Sequence, residues 1–147
     1  GFSKKKIENY IIKNRKNLYF KTGIARLFNI TGKNQREGFF IKDIIQKINK
    51  GNKISNINKY RDFIHIDDVI KSLKLIISKE YQEPINVCSG KKTNLIKICK
   101  MINDKFFKKR ICIDYKRGKD LFGDNRKLKK LGINKFKNIN YILDTLN

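Results

Sequence analysis

Apolar positions along the chain recur with two periods, and the switches between them mark the elements. Ile7, Ile11 and Ile12 share one face of a helix predicted over Ser3–Arg15, with Ser3 as its cap. Between Gly23 and Gly32, the run Ile24-Ala25-Arg26-Leu27-Phe28-Asn29-Ile30-Thr31 reads as a strand. Phe40, Ile44, Ile45 and Ile48 give an amphipathic helix over Phe39–Asn49, stopped at Gly51. A period of two returns after Tyr60: Phe63, His65 and Asp67 fall on one side of an extended segment, Ile64 and Ile66 on the other. Asp67 and Asp68 then open a helix running to Lys79. Aspartate at a helix start caps free N–H groups and suits the positive end of the dipole. Pro84–Gly90 is a strand ending in a turn, and Thr93 caps a helix whose apolar face is Leu95, Ile98, Cys99 and Ile102. Arg110–Tyr115 alternates as a strand does, and a last helix is predicted from Asn138 to Leu146.

Composition adds bounds. At 147 residues the chain suffices for one domain with a real core, and 39% hydrophobic content with a mean hydropathy of −0.58 fits a soluble globular protein. The formal charge of +23 and a pI near 10.1 would ordinarily point to nucleic acid or an anionic membrane. Lys (29), Asn (17) and Ile (25) together make about half the chain, against 7 Arg, which suggests coding bias toward A and T. The lysines are scattered, and no helix-turn-helix, zinc-finger or RNP pattern is present, so a specific nucleic-acid partner is not expected. Cys88, Cys99 and Cys112 are odd in number and lack Cys-x-x-Cys spacing, and the single His65 cannot complete a metal set with them. They read as reduced, buried thiols of a cytoplasmic protein. No apolar run is long enough to span a bilayer and there is no signal-peptide pattern, so no membrane partner is expected. The chain starts at Gly1 rather than Met and reads as beginning inside a longer protein.

Three residues stand out for chemistry. Arg61, at the start of the alternating segment, is a natural fork for two phosphate oxygens. Spacing alone leans instead toward a surface ion pair between Arg61 and Asp62. Asn29, at a strand end, could offer its amide to a sugar or phosphate oxygen, as ligand crevices at strand ends favour, or cap a turn before Gly32. Lys4, by itself, is one solvated lysine among many.

A family resemblance sharpens these readings. Arg61-Asp62-Phe63-Ile64-His65-Ile66-Asp67-Asp68-Val69 resembles the signature in the C-terminal half of NAD-dependent epimerase/dehydratase proteins, the extended short-chain dehydrogenase/reductases that act on nucleotide-activated sugars. Gly1-Phe2-Ser3-Lys4 is similar to the end of the family's Tyr-x-x-x-Lys pair, whose tyrosine would be the residue before Gly1. Arg26-Leu27-Phe28-Asn29 through Gly32 resembles Arg-x-Phe-Asn-x-x-Gly, with Lys33 where proline usually follows. Pro84–Gly90 is similar to Phe-Asn-Ile-Gly-Ser-Gly. Arg117-Gly118-Lys119-Asp120 is a looser match to Arg-x-Gly-Asp, with Lys119 inserted, and Asp124–Gly132 resembles Asp-x-Ser-Lys-x-x-x-Leu-Gly. The motifs occur in the family's order along essentially the whole chain.

The resemblance implies an α/β fold: the C-terminal portion of a Rossmann-like enzyme, its last sheet strands plus a small substrate-binding lobe. Residues 1–36 would end the dinucleotide-binding domain, and residues 37–147 would form mainly the substrate lobe, with strands returning to the sheet. It implies NAD or NADP as cofactor, Lys4 as the catalytic lysine and cofactor ligand, and Phe28 beside the nicotinamide. Asn29 and Arg61 would hold the diphosphate of a nucleotide sugar, and Arg117 its nucleoside side. The activity implied is epimerisation, dehydration or 4-keto reduction, in a protein that could be a homodimer. The glycine-rich loop and the tyrosine are absent from the sequence, so this chain alone is expected not to turn over. The alternatives are a non-catalytic sugar-nucleotide-binding subunit and a basic nucleic-acid-binding domain.

Overall fold

A computed structural model describes residues 2–145. Its elements are α1 (Phe2–Asn14) with a 3-10 turn at Arg15–Asn17, β1 (Ala25–Leu27), β2 (Asn29–Thr31), α2 (Phe40–Asn49), β3 (Tyr60–Arg61), β4 (Phe63–His65), α3 (Ile66–Ser78), β5 (Ile85–Val87), β6 (Thr93–Asn94), α4 (Leu95–Phe106), α5 (Arg126–Lys130) and α6 (Ile139–Asp144). The fold is mixed α/β, with β1 parallel to β5, β2 parallel to β4, and β3 antiparallel to β6.

The alternation around Phe63 has a tertiary meaning. Phe63 enters a core built with Ile41, Ile44 and Ile48 of α2 and Leu95, Ile98, Cys99 and Ile102 of α4. Its neighbour Ile64 points the other way, into a second core with Val69 and Ile76 of α3, Ile85 and Val87 of β5, and Leu128 of α5. A strand whose successive side chains face opposite sides can wall off two cores, and β4 does so, buried at all three positions.

Several expectations are corrected. The single strand expected over residues 24–31 breaks at Phe28, because the chain changes partners there: Leu27 is in register with Val87, and Asn29 with Phe63. No strand forms over Arg110–Tyr115; that stretch makes one bridge, Ile113 to Ile54. Further bridges join Asn58 to Arg117 and Arg61 to Leu121, so residues 112–121 form a strap touching residues 54–61 about once per four residues. The cap of α4 is Asn94, whose Oδ1 accepts from Ile96 and Lys97 N–H, because the ladder with Arg61 and Tyr60 keeps the chain extended through both Thr93 and Asn94 and the helix starts only at Leu95. The cap of α3 is His65, whose Nδ1 accepts the Asp67 N–H at 3.2 Å, so the aspartates lie inside the first turn.

Ser3 lies within α1 rather than capping it. The apolar side of α1 is not covered: Ile7 is 60% and Ile12 44% exposed, and no α1 residue is buried. An ion pair between Glu8 and Arg26 ties this helix to β1. Cys112 is exposed, unlike buried Cys88 and Cys99, and all three are free thiols. Burial and the Asp62 charge push the Cys88 thiol up to about 12, and burial pushes Cys99 to about 11. Gly1 and Leu146 lie outside the described residues.

Candidate functional site

Asp62, which joins β3 to β4, is the centre of the candidate site. It is 0% exposed, and its carboxylate is not paired with Arg61. Oδ1 accepts the Ser89 N–H at 2.9 Å and the Ser89 hydroxyl at 2.7 Å, and Oδ2 accepts the Gly90 N–H at 2.8 Å. Gly123 N–H adds a longer contact at 3.4 Å. Gly90 has φ +74°, which lets two successive N–H groups converge on one anion as a backbone nest. A buried carboxylate bonded in this way is satisfied without a cation.

Residues on either side of Asp62 lead to the two halves of the site. Asn29 Nδ2 donates to the Asp62 carbonyl at 2.8 Å, so this amide fixes the strand junction rather than capping a turn before Gly32. Its Oδ1 has no partner among the described residues. Asn29 also lines a cavity of about 210 Å³ with Phe28, Gln35, Phe39, Phe40 and Phe63. The walls are mostly apolar, four phenylalanines with Ile30 and Ile41. Gln35 donates through Nε2 to the Ile30 carbonyl at 2.7 Å, which leaves its buried Oε1 without a partner. Half-buried Phe28 is pressed by the backbone of Gly123, where a Cβ would come within 2.8 Å of Phe28 Cζ and would also strike Cys88 Sγ.

Arg61 faces the strap. Its Nη1 donates to the Tyr60 carbonyl at 2.9 Å and the Lys119 carbonyl at 2.6 Å, while Nε and Nη2 hold no partner among the described residues. Arg117 lies over the Tyr60 ring at 5.6 Å and pairs with Asp120 at 2.6 Å. Asp120 also accepts the Tyr60 N–H at 2.8 Å, and the Arg117 bond, with this one second, holds its carboxyl below the usual range. Half-buried Lys59 is lowered by burial and then by the nearby Arg61 charge. Lys59, Arg61 and Arg117 therefore gather on one stretch, where Asp120 is paired with Arg117. The result is a surface suited to an anion.

The structure thus brings Asn29 and Phe28 to one cavity, Arg61 and Arg117 to one strap, and joins the two through Asp62. Lys4 stands apart on solvent-facing α1, one turn before Glu8 and on the same side of the helix. Asp62, Gln35 and Lys59 were missed by sequence reasoning. For Asp62 the available signal was an acidic residue inside an otherwise buried alternating run. Among the described residues, no group of three or more His, Cys, Asp or Glu could hold a metal ion. No described helix is long and apolar enough to cross a membrane.

Comparison with known proteins follows the same lines. RMD from Pseudomonas aeruginosa, solved with NADPH, matches with a TM-score of 0.79 at 22% identity, covering 94% of this chain and 51% of that chain. UDP-N-acetylglucosamine 4-epimerase from Methanobrevibacter ruminantium, in complex with UDP-N-acetylmuramic acid, gives 0.76 at 21% identity, over 94% and 47%. UDP-glucose 4-epimerase from Thermotoga maritima, with UDP-glucose, gives 0.79 at 20% identity, over 99% and 50%. At such identity these likenesses show the fold, and the chain spans about half the length of each. No curated protein sequence matches. The model of the GDP-mannose 4,6-dehydratase family matches residues 1–136. On that match the chain belongs to the GDP-mannose 4,6-dehydratase family, within the extended short-chain dehydrogenase/reductases that include nucleotide-sugar epimerases and dehydratases.

Proposed function

We propose that this chain is the nucleotide-sugar-binding part of an NAD(P)-dependent epimerase, dehydratase or 4-keto reductase. The observation that carries the reading is the link through Asp62. Its carbonyl takes the Asn29 amide, and the residue before it is Arg61, whose Nε and Nη2 are left for a ligand. In this reading Arg61 and Asn29 hold the diphosphate, and Arg117 closes the nucleoside side from the strap. The buried Gln35 Oε1 and the Asn29 Oδ1 supply acceptors for sugar hydroxyls. Residues 1–36 belong with the dinucleotide-binding domain and residues 37–147 mainly with the substrate lobe.

In this reading two of the residues present serve one end of a dinucleotide. Lys4 is an exposed cation without an ion-pair partner among the described residues, and Phe28 sits at a strand break pressed by the Gly123 backbone. These two would hold the nicotinamide end. The cofactor, when bound, supplies hydride chemistry at a sugar carbon, while the residues here bind and orient. The 147 residues contain no glycine-rich strand–turn–helix for the pyrophosphate, so turnover requires that half of the fold as well.

Calorimetric titration with UDP-glucose and with GDP-mannose tests the reading. Arg61→Ala is expected to weaken binding by about 1.5–3 kcal/mol, the scale of a hydrogen bond to a charged group. Unchanged affinity would remove Arg61 from the site. Equal, steeply salt-dependent binding of any polyanion would favour a basic nucleic-acid-binding domain instead. Intact nucleotide-sugar binding without turnover, once the glycine-rich half is supplied, would favour a non-catalytic subunit.

A further inference from the structure

We propose that Asp62 is a positioning residue, whose carboxylate, seated in a nest of backbone N–H groups, keeps Arg61 and Asn29 in register for a single diphosphate. This rests on the reading of Arg61 and Asn29 given above. The carboxylate is anchored by three donors within 2.9 Å, all from the Ser89–Gly90 turn that follows β5. The main chain of the same residue receives Asn29 at 2.8 Å. Arg61, the residue before Asp62, is also in register with Thr93 of β6 and bridged to Leu121 of the strap. Gly123 N–H, at the strap's end, reaches the same carboxylate.

One buried anion therefore meets the turn after β5 and the end of the strap, while its own carbonyl holds β2. A neutral side chain of the same shape could fill the space, but it could not accept from Ser89 and Gly90 together. Asparagine would turn an N–H₂ toward the donors of the nest and leave at least one of them buried and unpaired. Residue 62 would then be released from the turn, and with it the spacing between the Asn29 amide and the Arg61 fork. A ligand diphosphate requires both at once.

The experiment is NMR on the ¹⁵N-labelled chain, wild type and Asp62→Asn, following the Asn29 side-chain amide and the Arg61 Nε–H during titration with UDP-glucose and with GDP-mannose. The expected result is that both signals are displaced before any ligand is added, while the amides of α4 keep their wild-type positions. Nucleotide-sugar affinity should fall about tenfold or more, the scale of one charge-assisted hydrogen bond. Ser89→Ala removes the 2.7 Å hydroxyl donor, and with it the acceptor of the Lys91 N–H at 3.2 Å, but keeps both nest N–H groups, and should act in the same direction, more weakly. It keeps the test decisive if Asp62→Asn does not fold. Folded variants with unmoved Asn29 and Arg61 signals and unchanged affinity overturn the proposal. If the wild type binds neither sugar nucleotide, the diphosphate reading and the register claimed for it both fall, and displaced signals then show only a structural clamp.

Discussion

At the scale of single residues, His65 carries a pH dependence that can be isolated, because it is the only histidine in the chain. It is 4% exposed, and burial lowers its pKa against the opposing pull of Asp67, with Lys137 lowering it further and Asp68 raising it. Its Nδ1 serves α3 as an acceptor, which a proton there would abolish. The unfolded chain protonates its imidazole below about pH 6.5, whereas the folded chain resists, so stability is lost as pH falls below that value. Asp67, Asp120, Asp124, Glu8 and Glu83 are all held below the usual carboxylate range, each chiefly by a hydrogen bond from a basic side chain. Their contributions are lost only at more acid pH, below about 4. Thermal melts should therefore soften as the pH falls below about 6.5 in the wild type. His65→Asn keeps a capping oxygen without the titration and should flatten that window; parallel melting curves would clear His65 of the effect. The thiols give a second check. With Cys88 and Cys99 buried and held protonated, one thiol of three, Cys112, should react with an alkylating reagent in the folded chain. Rapid loss of three thiols would contradict the two buried positions.

At the scale of elements, the caps show how pairing competes with local preference. Thr93 and Asn94 are both suitable caps, and the ladder with Arg61 and Tyr60 keeps the chain extended through Asn94, so the helix starts at Leu95 and Asn94 is the residue that caps it. Asn94→Ala should cost about 1 kcal/mol in urea unfolding, whereas Thr93→Ala, which removes no capping bond, should cost less. The opposite order would restore the cap to Thr93. The break at Phe28 is likewise a pairing effect: a strand that hands its edge from β5 to β4 cannot keep one straight ladder. That break places Phe28 and Asn29 beside a cavity rather than within a continuous sheet.

At the scale of the whole molecule, α1 and β1 carry uncovered apolar surface. Phe2, Ile7, Tyr10 and Ile12 of α1 are exposed, as is Leu27, and β1 pairs with β5 alone among the described residues. An apolar helix face beside an open strand edge is an association hazard. The charge of +23 opposes it by repulsion, which salt screens. Light scattering on the purified chain should show mass increasing with protein concentration, more steeply at high salt than at low. Fluorescence titration should show no tight NADH site, because no glycine-rich turn is present to seat the pyrophosphate. A monodisperse chain at every salt concentration with micromolar NADH affinity would contradict both expectations.

Periodicity by itself determined the helices around Ile44, Val69 and Ile98, because a sustained apolar face is a local property that packing then uses. The order of motifs determined the family. Tertiary structure decided which of two plausible caps is used, where the long strand breaks, and that residues 112–121 run as a strap. Each of these depends on a partner far away in sequence. It also decided the state of Asp62. Beside Arg61 in the chain, an aspartate reads as half of a surface ion pair. In the fold, its carboxylate is enclosed by N–H groups of Ser89 and Gly90, 27 and 28 residues away, and the guanidinium is left to face the strap. Adjacent side chains on an extended backbone point to opposite sides, so sequence neighbours are separated there and distant turns brought together.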